Sequence, residues 1–309
     1  MPWKDTINRA MYRVTGHMLT RETPDQRREA IRSAARESAA LARNRAIDKR
    51  RRLEAQRKER AAKRRAEEAA AQRKERQRAN AEARASLDDD VRKTIERVRP
   101  RTMTGPPKLA ALVEATRYVV RCQIPGAVVE CGVWRGGSMQ AIAWTLLELG
   151  DTDRELHLFD TFEGMPPPTE NDTRTTESGS VSAEELLAVS DKNSKLWAIA
   201  GVDDVREAMA ETGYPADRVH LHPGLVEETT PGLAPDTIAL LRLDTDWYAS
   251  TKHELEHLYA RLSPGGVLIL DDYGSWDGAR KATDEWLKET GEPLFLAPMG
   301  AGRIAIKPG

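Results

Sequence analysis

Asp236-Thr-Ile-Ala-Leu-Leu-Arg-Leu-Asp244-Thr-Asp246-Trp-Tyr248 and, one helical length later, Gly265-Gly-Val-Leu-Ile-Leu-Asp271-Asp272-Tyr273 decide how this chain folds. Two apolar runs, Ile238–Leu243 and Val267–Leu270, each end in carboxylates. Short apolar runs bounded by polar residues read as strands buried on both faces. The segment between them is long enough for the crossover helix that parallel strands require. Adjacent parallel strands would deliver Asp244, Asp271 and Asp272 to one edge of a sheet, the edge where open α/β sheets bind ligands. An Asp at a strand end also suits a simple turn. The doublet together with Asp244 points further, because three converging carboxylates repel unless a cation lies between them. A hard divalent ion that takes oxygen ligands, such as Mg²⁺, fits.

Working outward, composition divides the chain in two. Of 309 residues, 31% are charged and 5% aromatic, with a mean hydropathy of −0.61. That is too polar for one globular body, so part of the chain must be solvated. The net charge of −1 conceals the split. Arg27–Arg84 carries 21 Lys and Arg against 9 Asp and Glu, a net of +12, which leaves −13 elsewhere. Cys122 and Cys131 form neither a disulfide framework nor a metal-ligand cluster. A reducing, cytoplasmic setting is expected. No run of apolar residues is long enough for a transmembrane helix.

Along the chain, Trp3, Ile7, Met11, Val14 and Met18 share one helical face, so residues 1–24 are expected to hold a short amphipathic helix. Residues 25–99 form a basic arm rich in Ala, Arg, Glu and Gln, without Gly and with no Pro before the region's end. Within it, high helix propensity and the pairs Glu54–Lys58 and Glu59–Lys63 predict one long exposed helix over residues 25–86, with Leu87–Arg99 a second short helix broken before Pro100. Its large apolar residues do not sustain a coiled-coil heptad. A basic helix can touch nucleic acid or an anionic surface. No aromatic residue lies between Tyr12 and Tyr118 to stack on bases, so a spacer or an oligomerising arm, and with it a homo-oligomer, is expected instead. Residues 100–309 alternate strand and helix. They predict a doubly wound, mostly parallel α/β sheet closed by a hairpin around Gly300-Ala-Gly302.

The first strand runs into Glu130-Cys-Gly132-Val-Trp-Arg-Gly136-Gly137-Ser138 and then a helix. Glycines there let backbone and helix N-terminus approach a ligand, although the spacing is not the dinucleotide G-x-G-x-x-G. Asp160 ends the second strand, where a carboxylate can accept both hydroxyls of a ribose. His253 and His257 lack a metalloprotease pattern and are expected on a solvated or capping face; His220 and His222 alternate on one strand, where one could touch the cofactor but core or rim packing is expected. Trp247 and Tyr248 follow Asp246 and either stack on a sugar at the pocket mouth or pack the next helix.

Val128–Ser138, Phe159-Asp-Thr-Phe-Glu-Gly-Met-Pro166, Arg242–Thr251 and Leu262–Gly274 together resemble the macrocin O-methyltransferase family, over roughly residues 100–290 and outside the Arg-rich arm. The resemblance implies a Rossmann-like class I methyltransferase that uses S-adenosylmethionine and a metal to methylate sugar hydroxyls. By the same resemblance, Glu130, Gly132, Gly136, Gly137 and Ser138 would cradle the methionine part. Asp160, with Thr161 and Phe162 beside it, would hold the ribose, and the 224–228 loop would lie near the adenine. Asp244, Asp271 and Asp272 would bind Mg²⁺, with Asp244 also the general base. The acceptor would be a small molecule or a glycan. A polar insert, Pro166–Lys195, departs from the pattern over the acceptor side. The alternative from another class is a non-catalytic scaffold recruited through the arm.

Overall fold

The computed structural model describes residues 24–309 apart from 86, 177, 178 and 193. The amphipathic helix expected before residue 24 lies outside these. Two compact units result, one up to Arg76 and one spanning Gln77–Gly309. The first consists, as far as it is described, of helix α1, Pro24–Ala85, which continues into the second. Glu54 pairs with Arg50 rather than forward with Lys58, and Lys63 and Arg64 reach Glu67 and Glu68. These exposed i,i+4 pairs each add only a few tenths of a kcal/mol, about 0.3–0.5. Helix propensity therefore carries most of α1.

The globular unit begins earlier than residue 100. Helix α2, Asp89–Val98, buries Val91, Thr94, Ile95 and Val98. These join one core with Leu109, Leu112, Val113 and Val119 of α3, Pro106–Arg121, and with Ile142 and Leu146 of α4, Gly137–Glu148. Arg97 also lies 3.9 Å over the Trp144 ring. α2 thus belongs to the fold and not to the arm; Val91, Ile95 and Val98, about one turn apart on one face, outweigh its charged neighbours.

The sheet comprises β1 (Ala127–Cys131), β2 (Leu156–Asp160), β5 (Val219–Pro223), β6 (Ile238–Leu243), β7 (Leu262–Leu270), β8 (Ala297–Met299) and β9 (Gly302–Ile306). Their order is β5-β2-β1-β6-β7-β9-β8, parallel from β5 through β7, with β9 and β8 antiparallel at the edge. Every residue of β1 and β6 is buried, as expected for central strands covered on both faces. Strand order reverses between β1 and β6, which makes their carboxyl ends the topological switch point where such sheets bind ligands.

The insert carries the helix that its sequence predicts at Ala183–Val189 and, beyond that expectation, a hairpin. It holds an antiparallel hairpin, β3 (Thr173–Thr176) and β4 (Gly179–Ser182), then helix α5 (Ala183–Val189) capped by Ser182. Helix α6 (Val202–Thr212), α7 (Val226–Leu233), α8 (Tyr248–Leu258) and α9 (Asp277–Thr290) complete the unit. Threonine-rich strands pair readily on a half-buried surface, and side chains from α9 hold them, as described below.

Candidate active site

Parallel register brings the acids together. Glu130 on β1 stands beside Arg242 on β6, and Leu243 beside Leu270. Asp244 follows Arg242 by two residues, so both project from the same face. Asp271 continues β7, its N–H donating to Leu243 O at 2.9 Å. Ligand oxygens of Asp244, Asp271 and Asp272 consequently all lie within 4.8 Å of one another. Convergence of strand ends predicted this meeting, and it occurs.

Arg242 is the centre of the arrangement and is only 2% exposed. Its Nη1 lies 2.5 Å from Glu130 Oε1 and 2.8 Å from Asp244 Oδ2, while Nη2 lies 2.8 Å from Asp271 Oδ1 and 3.0 Å from Thr104 Oγ1. Lys108, in the first turn of α3, donates to Asp271 Oδ2 at 2.5 Å. Nothing local to Lys108 signals this role. Arg242 does carry a signal: an arginine inside a doubly buried apolar run requires carboxylate partners nearby, because an unpaired buried charge costs several kcal/mol, roughly 3–5.

Even so, negative charge is in excess. Two cations face Glu130, Asp244, Asp246, Asp271 and Asp272. Burial first, then repulsion from Asp271 and Asp272, pushes Asp244 well above the usual carboxylate range despite Arg242. Burial and repulsion from Asp246 and Asp271 do the same to Asp272. Burial raises Glu130 to about 7, against the pull of Arg242. Asp271 alone is held low, since Arg242 and Lys108 overcome its desolvation. Asp272 Oδ2 is buried without a hydrogen-bond partner. An orphaned oxygen beside an excess of carboxylates is what an all-oxygen site for a hard dication presents. Asp244 keeps about a quarter of its side chain, 26%, open to solvent, which leaves a way in.

On the donor side the glycines act differently from the expectation. A Cβ on Gly132 would fall 2.0 Å from Asp244 O, and one on Gly137 would fall 2.5 Å from Arg101 O. Both glycines thus permit close packing of backbone on backbone rather than on a ligand. Gly136 caps α4 at φ 80° and offers no side chain to its first N–H groups. The buried Ser138 follows within that first turn. An uncapped helix start suits the carboxylate of an amino acid. Asp160 is also more committed than expected: Oδ2 accepts from Val133 N and Trp134 N at 2.7 and 2.9 Å, and Oδ1 from Phe162 N at 2.8 Å. It ties the loop after β1 to the end of β2, and only Oδ1 retains room for a further donor. Thr161 Oγ1 turns to Gly164 O at 2.7 Å, and Phe162 is buried.

Trp134, Phe162 and Asp246 adopt left-handed φ values of 49°, 55° and 67°. They follow β1, β2 and β6, so strained backbone gathers on the carboxyl edge, as it does at binding sites. The insert closes over the same edge. Asp172 is fully buried; its Oδ1 accepts from Tyr248 N at 2.7 Å, and Asp277 Oδ2 accepts from Thr173 and Thr175 Oγ1 at 2.9 and 2.8 Å. Trp247 is buried edge-on against Trp276 with centroids 4.9 Å apart, and its Nε1 donates to Pro166 O, so it packs and does not stack on a sugar. Tyr248 donates to Glu285 Oε2 at 2.6 Å. His253 Nε2 meets Thr230 Oγ1 at 3.0 Å and the exposed His257 Nδ1 meets His253 O at 2.9 Å, which puts the pair on a partly solvated helix face, as expected.

Residues 40–295 match the family described as Macrocin-O-methyltransferase (TylF). The match starts inside α1, well before the sequence blocks that carry the resemblance. The chain is 35% identical over 185 residues to an 8-demethyl-8-(2,3-dimethoxy-alpha-L-rhamnosyl)-tetracenomycin-C 4'-O-methyltransferase of Streptomyces olivaceus, covering 60% of this chain and 67% of that protein. It is 31% identical to a demethyldecarbamoylnovobiocin O-methyltransferase of Streptomyces niveus, with the same coverage of 60% and 67%. The solved O-methyltransferase NovP superposes with a TM-score of 0.58 at 28% identity, over 68% of this chain and 83% of that one. The calicheamicin methyltransferase CalS11, at 21% identity and a TM-score of 0.52 over 74% of this chain and 90% of that one, shares the fold. This chain is a member of the macrocin-O-methyltransferase family, an O-methyltransferase built on a doubly wound sheet.

Proposed function

We propose that this enzyme transfers the methyl group of S-adenosylmethionine to a sugar hydroxyl of a glycosylated natural product or glycan, with Mg²⁺ held by Asp244, Asp271 and Asp272. The observation that carries this reading is the three-carboxylate cluster at the switch point, its oxygens within 4.8 Å and Asp272 Oδ2 unpartnered. The sugar acceptor is supported by the relatives, one named for a rhamnosyl-bearing tetracenomycin substrate.

A bound dication supplies Lewis acidity, which lowers the pKa of a hydroxyl nearby. The chain does the rest. Asp271 is fixed by Arg242 and Lys108, so it serves as a rigid anchor. Asp244 remains partly open and takes the hydroxyl proton as general base. Asp246, two residues on and held in a strained turn, is the second carboxylate within the cluster suited to that role. The acceptor oxygen then bonds the methyl carbon as its bond to sulfur breaks, leaving S-adenosylhomocysteine. The α4 N-terminus and the end of β2 orient the donor, and orientation of two bound partners supplies much of the rate. The intact acid set speaks against a degenerate scaffold.

Incubation of the purified chain with S-adenosylmethionine, Mg²⁺ and a panel of deoxysugar-bearing natural products tests the reading. A mass gain of one methyl on the sugar, abolished by EDTA, is expected. Turnover that persists in EDTA contradicts the metal; no transfer to any glycosylated acceptor, with transfer to an aglycone phenol, contradicts the acceptor class.

A further inference from the structure

We propose that Glu155, His157 and His220 form a second metal site, for a zinc-class transition cation, that ties edge strand β5 to β2. Register places His157 directly beside His220, and Phe159 beside His222. Glu155 precedes His157 by two residues and so projects on the same face. Ligand atoms of Glu155, His157 and His220 all lie within 4.8 Å of one another. Asp160, at the carboxyl end of β2, lies five residues beyond Glu155 and three beyond His157, about 16 and about 10 Å at the strand rise, and this cluster shares no residue with the Asp244, Asp271 and Asp272 group.

The donor geometry is close to what such an ion needs. His157 Nε2 is 3.4 Å and His220 Nε2 is 3.9 Å from Glu155 Oε2. Tetrahedral ligands at zinc distances sit about 3.3 Å apart. His220 Nε2 is buried and has no hydrogen-bond partner, although its side chain is 35% exposed. Proton accounting points the same way. His157 Nδ1 meets His222 Nε2 at 3.0 Å. If Nδ1–H donates there, His157 Nε2 presents a lone pair to a carboxylate, an arrangement that needs a cation between them. His222 then acts as the outer partner that fixes the ligand's tautomer, as metal-bound histidines usually have. If the proton lies the other way, His220 Nε2 is still left without a partner. Arg218 Nη1, 3.6 Å from Glu155 Oε1, restrains the far side of the carboxylate. The half-exposed Glu155 and His220 leave the site open to solvent for entry and for a fourth, water ligand.

Two imidazoles and one carboxylate select Zn²⁺, Co²⁺ or Ni²⁺ over Mg²⁺, whereas the Asp244 cluster offers oxygen alone. The two sites can therefore be loaded separately. The untagged full chain, with millimolar Mg²⁺ present, is titrated with Zn²⁺ by calorimetry and with Co²⁺ by visible absorption. His220→Ala, Glu155→Gln and Asp272→Asn are run alongside, with circular dichroism confirming their folds. One Zn²⁺ per chain is expected in the wild type and in Asp272→Asn. Affinity should fall at least about tenfold in each of the other two variants. Zn²⁺ should raise the melting temperature of the wild type and leave that of His220→Ala unmoved. Absence of Zn²⁺ uptake in excess Mg²⁺, undiminished affinity in His220→Ala and Glu155→Gln, or loss of uptake in Asp272→Asn overturns the assignment. None of these readouts depends on methyl transfer.

Discussion

Arg242 Nη2 lies 2.8 Å from Asp271 Oδ1, and through this pair the strand that carries Asp244 is bound to the strand that carries Asp271 and Asp272. The same guanidinium holds Asp244 and Glu130. Replacing it with a side chain of similar length but no charge, Arg242→Met, leaves two buried carboxylates and the partly open Asp244 facing one another. Destabilisation of roughly 3–5 kcal/mol is expected in urea unfolding. A loss below about 1 kcal/mol would show that the acids shed their charge instead.

Asp272→Asn should separate stability from activity. The unpartnered Oδ2 and the repulsion from Asp246 and Asp271 make the ionised carboxylate unfavourable in the metal-free fold. The neutral amide should therefore melt at a higher temperature without metal, yet show no further rise with Mg²⁺ and no methyl transfer. S-adenosylmethionine should still bind by calorimetry. A lower melting temperature in EDTA contradicts the accounting.

Asp244→Asn and Asp246→Asn together identify the proton acceptor. Asp244→Asn should abolish both the Mg²⁺ response and transfer. Asp246→Asn should keep the Mg²⁺-dependent rise in melting temperature. A fall of about 10²–10⁴ in its kcat would make Asp246 the base, and an unchanged kcat would leave Asp244 alone in that role.

Gly132→Ala tests backbone packing. Its φ of 85° and a Cβ only 2.0 Å from Asp244 O predict a loss of more than about 1 kcal/mol and weaker Mg²⁺ binding, because Asp244 must move. Retention of both by thermal melts with and without Mg²⁺ would contradict this.

The histidines give a pH signature in chelated protein. Burial, then repulsion from His157 and His220, pushes His222 down to about 4 from its ordinary 6.5. Between those values the unfolded chain binds more protons than the native one, so stability falls as pH drops from 6.5 towards 4. His157 is lowered for the same first reason and adds to the slope. Melting temperature followed over this window should decline less steeply in His222→Asn than in the wild type; parallel declines would contradict it.

The strand-end acids are legible in the sequence because a buried run cannot end in a charge without reaching the sheet edge, and register then has little freedom. The meeting of Asp244 with Asp271 and Asp272 follows from that, while the parallel core follows from the alternation of strand and helix and the closing hairpin from Gly300-Ala-Gly302. Helix α2 is legible but its place in the core is not, because only three apolar residues, Val91, Ile95 and Val98, sit among ten mostly charged ones. The β3–β4 hairpin is hidden because its anchor, Asp277, lies about a hundred residues away. The glycines are legible as necessary but not as to what approaches them: Asp244 O is invisible from residue 132. The His157–His220 pairing needs register across a crossover, which no local pattern supplies.

The insert grips the fold through Asp172 on Tyr248 N and through Thr173 and Thr175 on Asp277. Those grips fall on the first turns of α8 and α9, immediately downstream of Asp246 and Asp272. If the acceptor of the proposed reaction sits beneath this insert, any change that reshapes it pulls on the same two helix starts that follow the acids. Under the proposed function substrate range and chemical competence are then geared together, and a transplant of residues 166–195 into a relative is expected to succeed only if this chain's α8 and α9 starts travel with it.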